Sequence, residues 1–283
     1  MPFPRTTESV SGTEVCITRQ PGKPLILLVR MASRDMGAWD TVWDDLCEFF
    51  SVAQFDLEMP SAAALEAPAV AFGTLSDACA AVASGLGYED FHLLGWTGGT
   101  HVALRCAADF PARVRSCTLL NPFYRLGDMR AVDKGVEFMR VMMESGGREL
   151  YAYYWLMAGF SPGFVEKNFN AVERMVAARL RGDRFMQLDT GRALQWIRAL
   201  RGFWLTDARL QSIRTPTLIV GAGLDAGHFG PTAAMSSALH DRIPASTLRI
   251  APDYGTLMLL EAPQEFWRLA RPFYADMSEQ AGR

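Results

Sequence analysis

The chain has 283 residues, 49% of them hydrophobic and 21% charged, and a net charge of −3. This composition excludes an intrinsically disordered protein, and the charge argues against a dedicated nucleic-acid binder, which would be basic. The length allows one large domain or two modest ones. Five cysteines, at 16, 47, 79, 106 and 117, include no C-x-x-C pair and leave one odd thiol, as expected in a reducing cytoplasm. The first fifteen residues lack the apolar core of a signal peptide, and the longest early apolar run, residues 25–29, is too short to span a bilayer. A cytoplasmic protein with no membrane association is the expectation. Fourteen methionines and 31 aromatic residues accompany only four histidines.

In chain order, β-like runs alternate with helical stretches. Residues 24–29 read as a buried strand. Residues 39–50 carry Trp39, Val42, Trp43, Leu46 and Phe49 at helical spacing. A second strand is predicted over 51–55, a helix over 76–86, a third strand over 91–94, a helix over 98–110 and a fourth strand over 113–120. Further strands are predicted over 215–220 and 246–250, and a last helix from 261 or 263 to about 277. Continuous apolar strands separated by helices imply an α/β fold with a mostly parallel sheet covered on both faces.

The alternation stops over residues 124–212, which read as several helices. This block holds half the methionines and the cluster Tyr151, Tyr153, Tyr154 and Trp155, and it carries about +4 against about −7 for the remainder. An insertion at this point is expected to form a helical cap over the carboxyl edge of the sheet, where ligands of open α/β sheets bind. The predicted division is a core of 1–123 and 213–283 with a cap of 124–212.

The most specific local signal is Gly95-Trp96-Thr97-Gly98-Gly99, placed between a predicted strand and a predicted helix. This is the G-x-S-x-G nucleophile elbow with threonine in place of serine. Glycines let the strand and helix backbones approach, and the Gly98 N–H is placed to meet a developing oxyanion.

From these residues the sequence resembles the α/β-hydrolase fold superfamily over about residues 13–275. Phe110-Pro111-Ala112-Arg113-Val114, Pro216 to Gly221 followed by Asp225, and Glu261-Ala262-Pro263-Gln264-Glu265-Phe266 look like family landmarks. The resemblance implies an acid at Asp225. It also exposes departures. Thr256, after Gly255, stands where the family's histidine base is expected, with Tyr254 as a looser alternative. Arg30-Met31 replaces the usual His-Gly oxyanion segment, and Asp56 to Ser61 keeps the acidic start of the next motif without its glycines. The implied triad is therefore degenerate. Serine–histidine–aspartate chemistry needs imidazole first as base and then as acid, and a hydroxyl without a base is a weak nucleophile.

The candidate catalytic residues are Thr97, Asp225 and His228, the last three residues beyond the acid and the best-placed replacement base. Candidate substrate-binding residues are Arg30, Met31, Trp96, Gly98, Tyr254 and Thr256. Arg30 has two readings, a ligand anion contact or a salt bridge with Asp56 or Glu58. His92, His101 and His240 read as structural. Histidines and cysteines do not cluster at metal-ligand spacing, and no nucleotide-binding glycine motif occurs, so neither a metal nor a cofactor is expected.

Three functions compete. One is an atypical, non-hydrolytic enzyme (cyclisation, elimination, isomerisation or C–C cleavage) acting on a small, mostly apolar carbonyl compound of the polyketide-like or aromatic kind met in secondary metabolism. Another is an esterase or thioesterase using Thr97 with an unusual base. The third is a catalytically silent ligand-binding protein. The expected partner is a small-molecule substrate or ligand, and a homo-oligomer is compatible with the sequence.

Overall fold

The computed structural model describes residues 2–30, 37–124, 129–224 and 232–281, with backbone alone at Ala131, Arg184 and 279–281. The chain opens with a hairpin, β1 (Thr6–Val10) and β2 (Thr13–Thr18), followed by β3 (Leu25–Val29). A 3₁₀ turn (Trp39–Thr41) and α1 (Trp43–Leu46) precede β4 (Ser51–Phe55). Next come α2 (Ala62–Leu65), α3 (Pro68–Gly85), β5 (Phe91–Trp96), α4 (Gly99–Asp109) and β6 (Val114–Leu120). Helices α5 (Met129–Gly159), α6 (Pro162–Gly182), α7 (Arg184–Gln187), α8 (Thr190–Gly202) and α9 (Asp207–Gln211) intervene before β7 (Thr217–Ala222). The chain ends with α10 (Thr232–His240), β8 (Ser246–Ala251), α11 (Met258–Glu261) and α12 (Pro263–Ala281).

The eight strands form one sheet in the order β1-β2-β4-β3-β5-β6-β7-β8. β2 runs antiparallel to β1 and β4, and every other pairing is parallel. The central strands β3, β5 and β7 are buried along their whole length, which is why they read as unbroken apolar runs. Side-chain alternation divides the helices between the two faces. Gly95 faces Ala103 of α4 and Gly221 faces Ser236 of α10, on one side. On the other, the Tyr274 hydroxyl of α12 donates to Thr118 Oγ1 at 3.0 Å, and Phe50 packs between Tyr274 and His92.

Two local expectations are corrected. The segment 39–50 is not one helix: Val42, at φ −127° and ψ 0°, separates the 3₁₀ turn from α1. Trp39, Val42, Trp43 and Leu46 are nevertheless buried, so the periodicity identified the inward face without the helix. Likewise, α3 begins at Pro68, where proline fits the first turn, well before residue 76.

The helices between β6 and β7 bind to loops at the carboxyl ends of the strands. After β4, the Pro60 carbonyl accepts from Arg192 and the Ala62 carbonyl accepts from Gln195 Nε2 at 2.8 Å. After β8, the Leu257 N–H donates to the Gly159 carbonyl at 2.8 Å. Glu261 clamps the same junction, accepting from Ser161 N–H at 2.8 Å and Gly255 N–H at 2.7 Å.

Candidate active site

The turn between β5 and α4 has the geometry of a nucleophile elbow. Thr97 sits at φ +50°, a left-handed conformation that is an outlier for a β-branched residue. Its neighbours hold it there: Thr97 N–H donates to the Leu120 carbonyl at 2.9 Å, and the Thr97 carbonyl accepts from Thr100 N–H at 3.1 Å and Thr100 Oγ1 at 2.5 Å. The flanking glycines are required by close approach. A Cβ on Gly95 would lie 2.7 Å from the Gly99 carbonyl oxygen, and one on Gly99 would overlap the Val29 carbonyl. Gly98 caps α4, and its carbonyl accepts from His101 N–H at 3.2 Å in the first turn.

Thr256 comes to this turn, and its main chain makes the contact. Its carbonyl accepts from Trp96 Nε1 at 3.0 Å and from Asn121 Nδ2 at 2.9 Å. Thr256 is fully buried. Gly255 is wedged against the end of α5, where a Cβ would meet Phe160 main chain at 2.9 Å. Tyr254 is half-buried and its carbonyl accepts from Leu224 N–H at 3.0 Å, so the chain leading to Asp225 runs beside the chain leading to Thr256. Trp96 packs edge-on against Trp39, their ring centres 6.0 Å apart.

Asn121 is a site residue the sequence reading missed. It is fully buried, takes φ +51° and follows the strand residue that bonds Thr97. The signal available was its position directly after β6, in register with the end of β5.

Arg30 follows β3 with its Cα against Gly99, and its guanidinium pairs with Asp56. The salt-bridge expectation thus holds. Arg30 and Asp56 line a cleft of about 730 Å³ with Glu14, Cys16, Gln54 and Glu58. A second cleft of about 470 Å³ lies between the β1–β2 turn, the Leu57–Met59 loop and α3. Asp225, His228 and Met31 lie outside the described residues.

The other three histidines are engaged elsewhere. His92 Nδ1 and Ser116 Oγ are 2.7 Å apart, and burial pulls the His92 pKa down to about 4. His101 is packed near Phe72 and Phe203 at ring distances of 5.7 and 6.1 Å, its Nε2 has no hydrogen-bond partner among the described residues, and burial again lowers its pKa to about 4. His240 Nδ1 lies 2.8 Å from Ser246 Oγ. No group of three His, Cys, Asp or Glu side chains among the described residues is placed to hold a metal, and no described helix is long and apolar enough to cross a membrane.

The chain is 26% identical over 188 residues to pyrrolizixenacetamide deacetylase of Xenorhabdus hominickii, a match covering 65% of each protein and so just under two thirds of that relative's length. A serine hydrolase from the polyaromatic-hydrocarbon-degrading bacterium Cycloclasticus zankles superposes with a TM-score of 0.74 at 18% identity, covering 97% of this chain and 98% of that one. The enol-lactonase of Burkholderia xenovorans superposes with a TM-score of 0.73 at 18% identity, covering 95% and 100%. At such identities these structures share the fold. With the elbow in place and a family model matching residues 31–269, the chain belongs to the alpha/beta hydrolase family.

Proposed function

We propose that the protein is an enzyme of this family that works without an acyl-enzyme, on a small and mostly apolar carbonyl compound of polyketide-like or aromatic type, with no cofactor. One observation carries the reading: the position expected to hold the base is a buried threonine whose carbonyl is occupied by Trp96 and Asn121. The described histidines are committed to other contacts. A triad of Thr97, Asp225 and Thr256 has no group for the two proton transfers of acyl transfer.

The elbow retains what an enolate needs. In the proposed step a substrate C–H proton passes to the Asp225 carboxylate and the electron pair moves onto the carbonyl oxygen. The Gly98 N–H and the Thr97 hydroxyl hold that oxygen, aided by the positive end of α4. Cyclisation, elimination and isomerisation proceed from such an enolate, and C–C cleavage releases one, the electron pair of the broken bond moving onto the same carbonyl oxygen. We assign substrate contact to Trp96, Tyr254 and Arg30, keep Met31 as a candidate from the sequence, and read residues 124–212 as a cap that excludes water.

The test is α-proton exchange of an aryl ketone such as butyrophenone in D₂O, followed by NMR. Exchange above the solvent rate that is lost in Asp225→Asn and falls about 100-fold in Thr97→Val is expected. Saturable ester or amide hydrolysis with no exchange would overturn the reading. It would favour acyl transfer at Thr97 with His228 as base, a second reading that the deacetylase name of the Xenorhabdus relative recommends.

A further inference from the structure

Two clefts adjoin at the carboxyl end of β4, one on each face of the sheet's edge. Strand pairing fixes which side chains each face receives. Val10 pairs with Thr13 and Val15 with Phe55, and by the alternation of a strand these share one face. Ser9 pairs with Glu14 and Cys16 with Gln54 on the other. The first face is mostly apolar and turns towards α3, and the second is polar.

The apolar cleft, of about 470 Å³, owes its shape to the sequence of α3. Ala71, Thr74, Leu75, Ala78, Ala81 and Val82 recur every three or four residues, so they line it from one helix face. Three of the six are alanines, whose short side chains do not reach Val10, Phe55 and Leu57 on the opposite wall. Val10, Phe55 and Leu57 line the cleft while only 5–7% exposed, so its floor lies well below the surface. A concave and mostly apolar space of about 300–1,000 Å³ with a few polar groups at one end is the usual form of a small-molecule site.

The polar groups stand at the β4 end. Thr13, Phe55, Asp56 and Glu58 line both clefts, so the apolar one ends where the polar one, of about 730 Å³, begins. Acids set the charge there. Arg30 is paired with Asp56, and among the described residues no other Arg and no Lys lines either cleft. Glu14 and Glu58 are exposed and make no ion pair among the described residues. The mouth therefore carries two negative charges beside an apolar floor. Residues 95–99 of the elbow line neither cleft.

We propose that this edge is a second ligand site, separate from the elbow, that takes an amphiphilic organic cation. An apolar body lies in the α3 cleft, and an ammonium head donates to Glu58 with Glu14 nearby. The apolar body supplies most of the binding, because exposed ion pairs are worth little on their own. The charge decides the class. An ammonium is attracted by both carboxylates, a carboxylate or phosphate head is repelled by them, and a hydroxyl gains nothing from their charge. The site does not depend on the reaction proposed for Thr97 and Asp225.

The test uses three probes of one skeleton, 6-phenylhexylamine, 6-phenylhexan-1-ol and 6-phenylhexanoate, titrated calorimetrically into the full-length protein at low ionic strength. The amine is expected to bind about fivefold more tightly than the alcohol and at least about tenfold more tightly than the carboxylate. Glu58→Gln, at an exposed position, is expected to weaken the amine about threefold or more and to leave the alcohol unchanged. Ala78→Trp fills the cleft from α3 and is expected to weaken amine and alcohol alike, about tenfold or more. A carboxylate bound as tightly as the amine, an amine affinity untouched by Glu58→Gln, or no binding of amine and alcohol overturns the proposal. Binding that survives in folded Ala78→Trp also overturns it, because the probe then lies elsewhere, the elbow included. Should Ala78→Trp fail to fold, the three probes and Glu58→Gln still decide the matter.

Discussion

The Asn121 side-chain amide donates to the Thr256 carbonyl at 2.9 Å, tying the end of β6 to the residue that stands in place of the base. Asn121 holds φ +51° to do so. Asn121→Ala removes the bond and places an alanine in the left-handed region. Because Thr256 keeps the Trp96 bond, the expected loss is about 1–3 kcal/mol rather than the larger figure for an orphaned carbonyl. Asn121→Gly loses the same bond without the backbone strain, so denaturant unfolding should rank wild type above glycine and glycine above alanine. Equal losses in the two variants would mean that the left-handed backbone costs nothing.

Strain at the elbow makes a second prediction. Thr97 holds φ +50° with a branched Cβ, which costs about 1–3 kcal/mol. Thr97→Gly should therefore remain folded and raise Tm by about 2 °C while abolishing any reaction that uses the hydroxyl. Calorimetry of the purified variant measures this. A drop in Tm would show that packing of the threonine methyl outweighs the backbone strain.

The glycines on either side behave in the opposite way. Gly95→Ala brings a methyl to 2.7 Å from the Gly99 carbonyl and 3.0 Å from the Ala103 methyl. Overpacking of this kind costs about 1–3 kcal/mol or more. Urea titration should show Gly95→Ala destabilised, and Gly12→Ala, whose Cβ meets nothing within 4 Å, losing only what its φ of +84° imposes. Comparable losses would remove the packing argument for the elbow.

Buried histidines give the stability a defined pH dependence. His92 and His101 have pKa values pulled down to about 4 by burial, against about 6.5 in the unfolded chain. Between those values the unfolded state binds more protons, so stability is full above pH 6.5 and falls as pH drops towards 4. Each group accounts for roughly 3 kcal/mol across that window. Melting curves between pH 7.5 and 4.5 should show the decline, and His101→Phe should flatten it by about half. An unchanged slope in that variant would mean that His101 does not carry its share.

Much of this arrangement was legible in the residues. The parallel strands announced themselves because burial on both faces demands unbroken apolar runs, as in β3 and β5. Thr97 was legible because a strand-to-helix turn this tight admits few residues beside glycine. The edge hairpin was not, because β1 is mostly exposed and carries no periodic signal. Its turn, with Ser11 at φ +50° and Gly12 at +84°, left only a Ser-Gly pair as a clue. Residues 39–50 had helical spacing but form two short pieces, because tertiary burial of Trp39 and Trp43 outweighs local continuity. Asn121 escaped notice because its partner, Thr256, is brought to it by the fold.

The central claim, that Thr97 forms no acyl-enzyme, is tested most directly by p-nitrophenyl butyrate hydrolysis in the wild type and in Thr97→Ala. The account predicts equal rates for the two proteins, both at the level of the buffer blank. Saturable hydrolysis by the wild type, about 100-fold or more above Thr97→Ala, would contradict it.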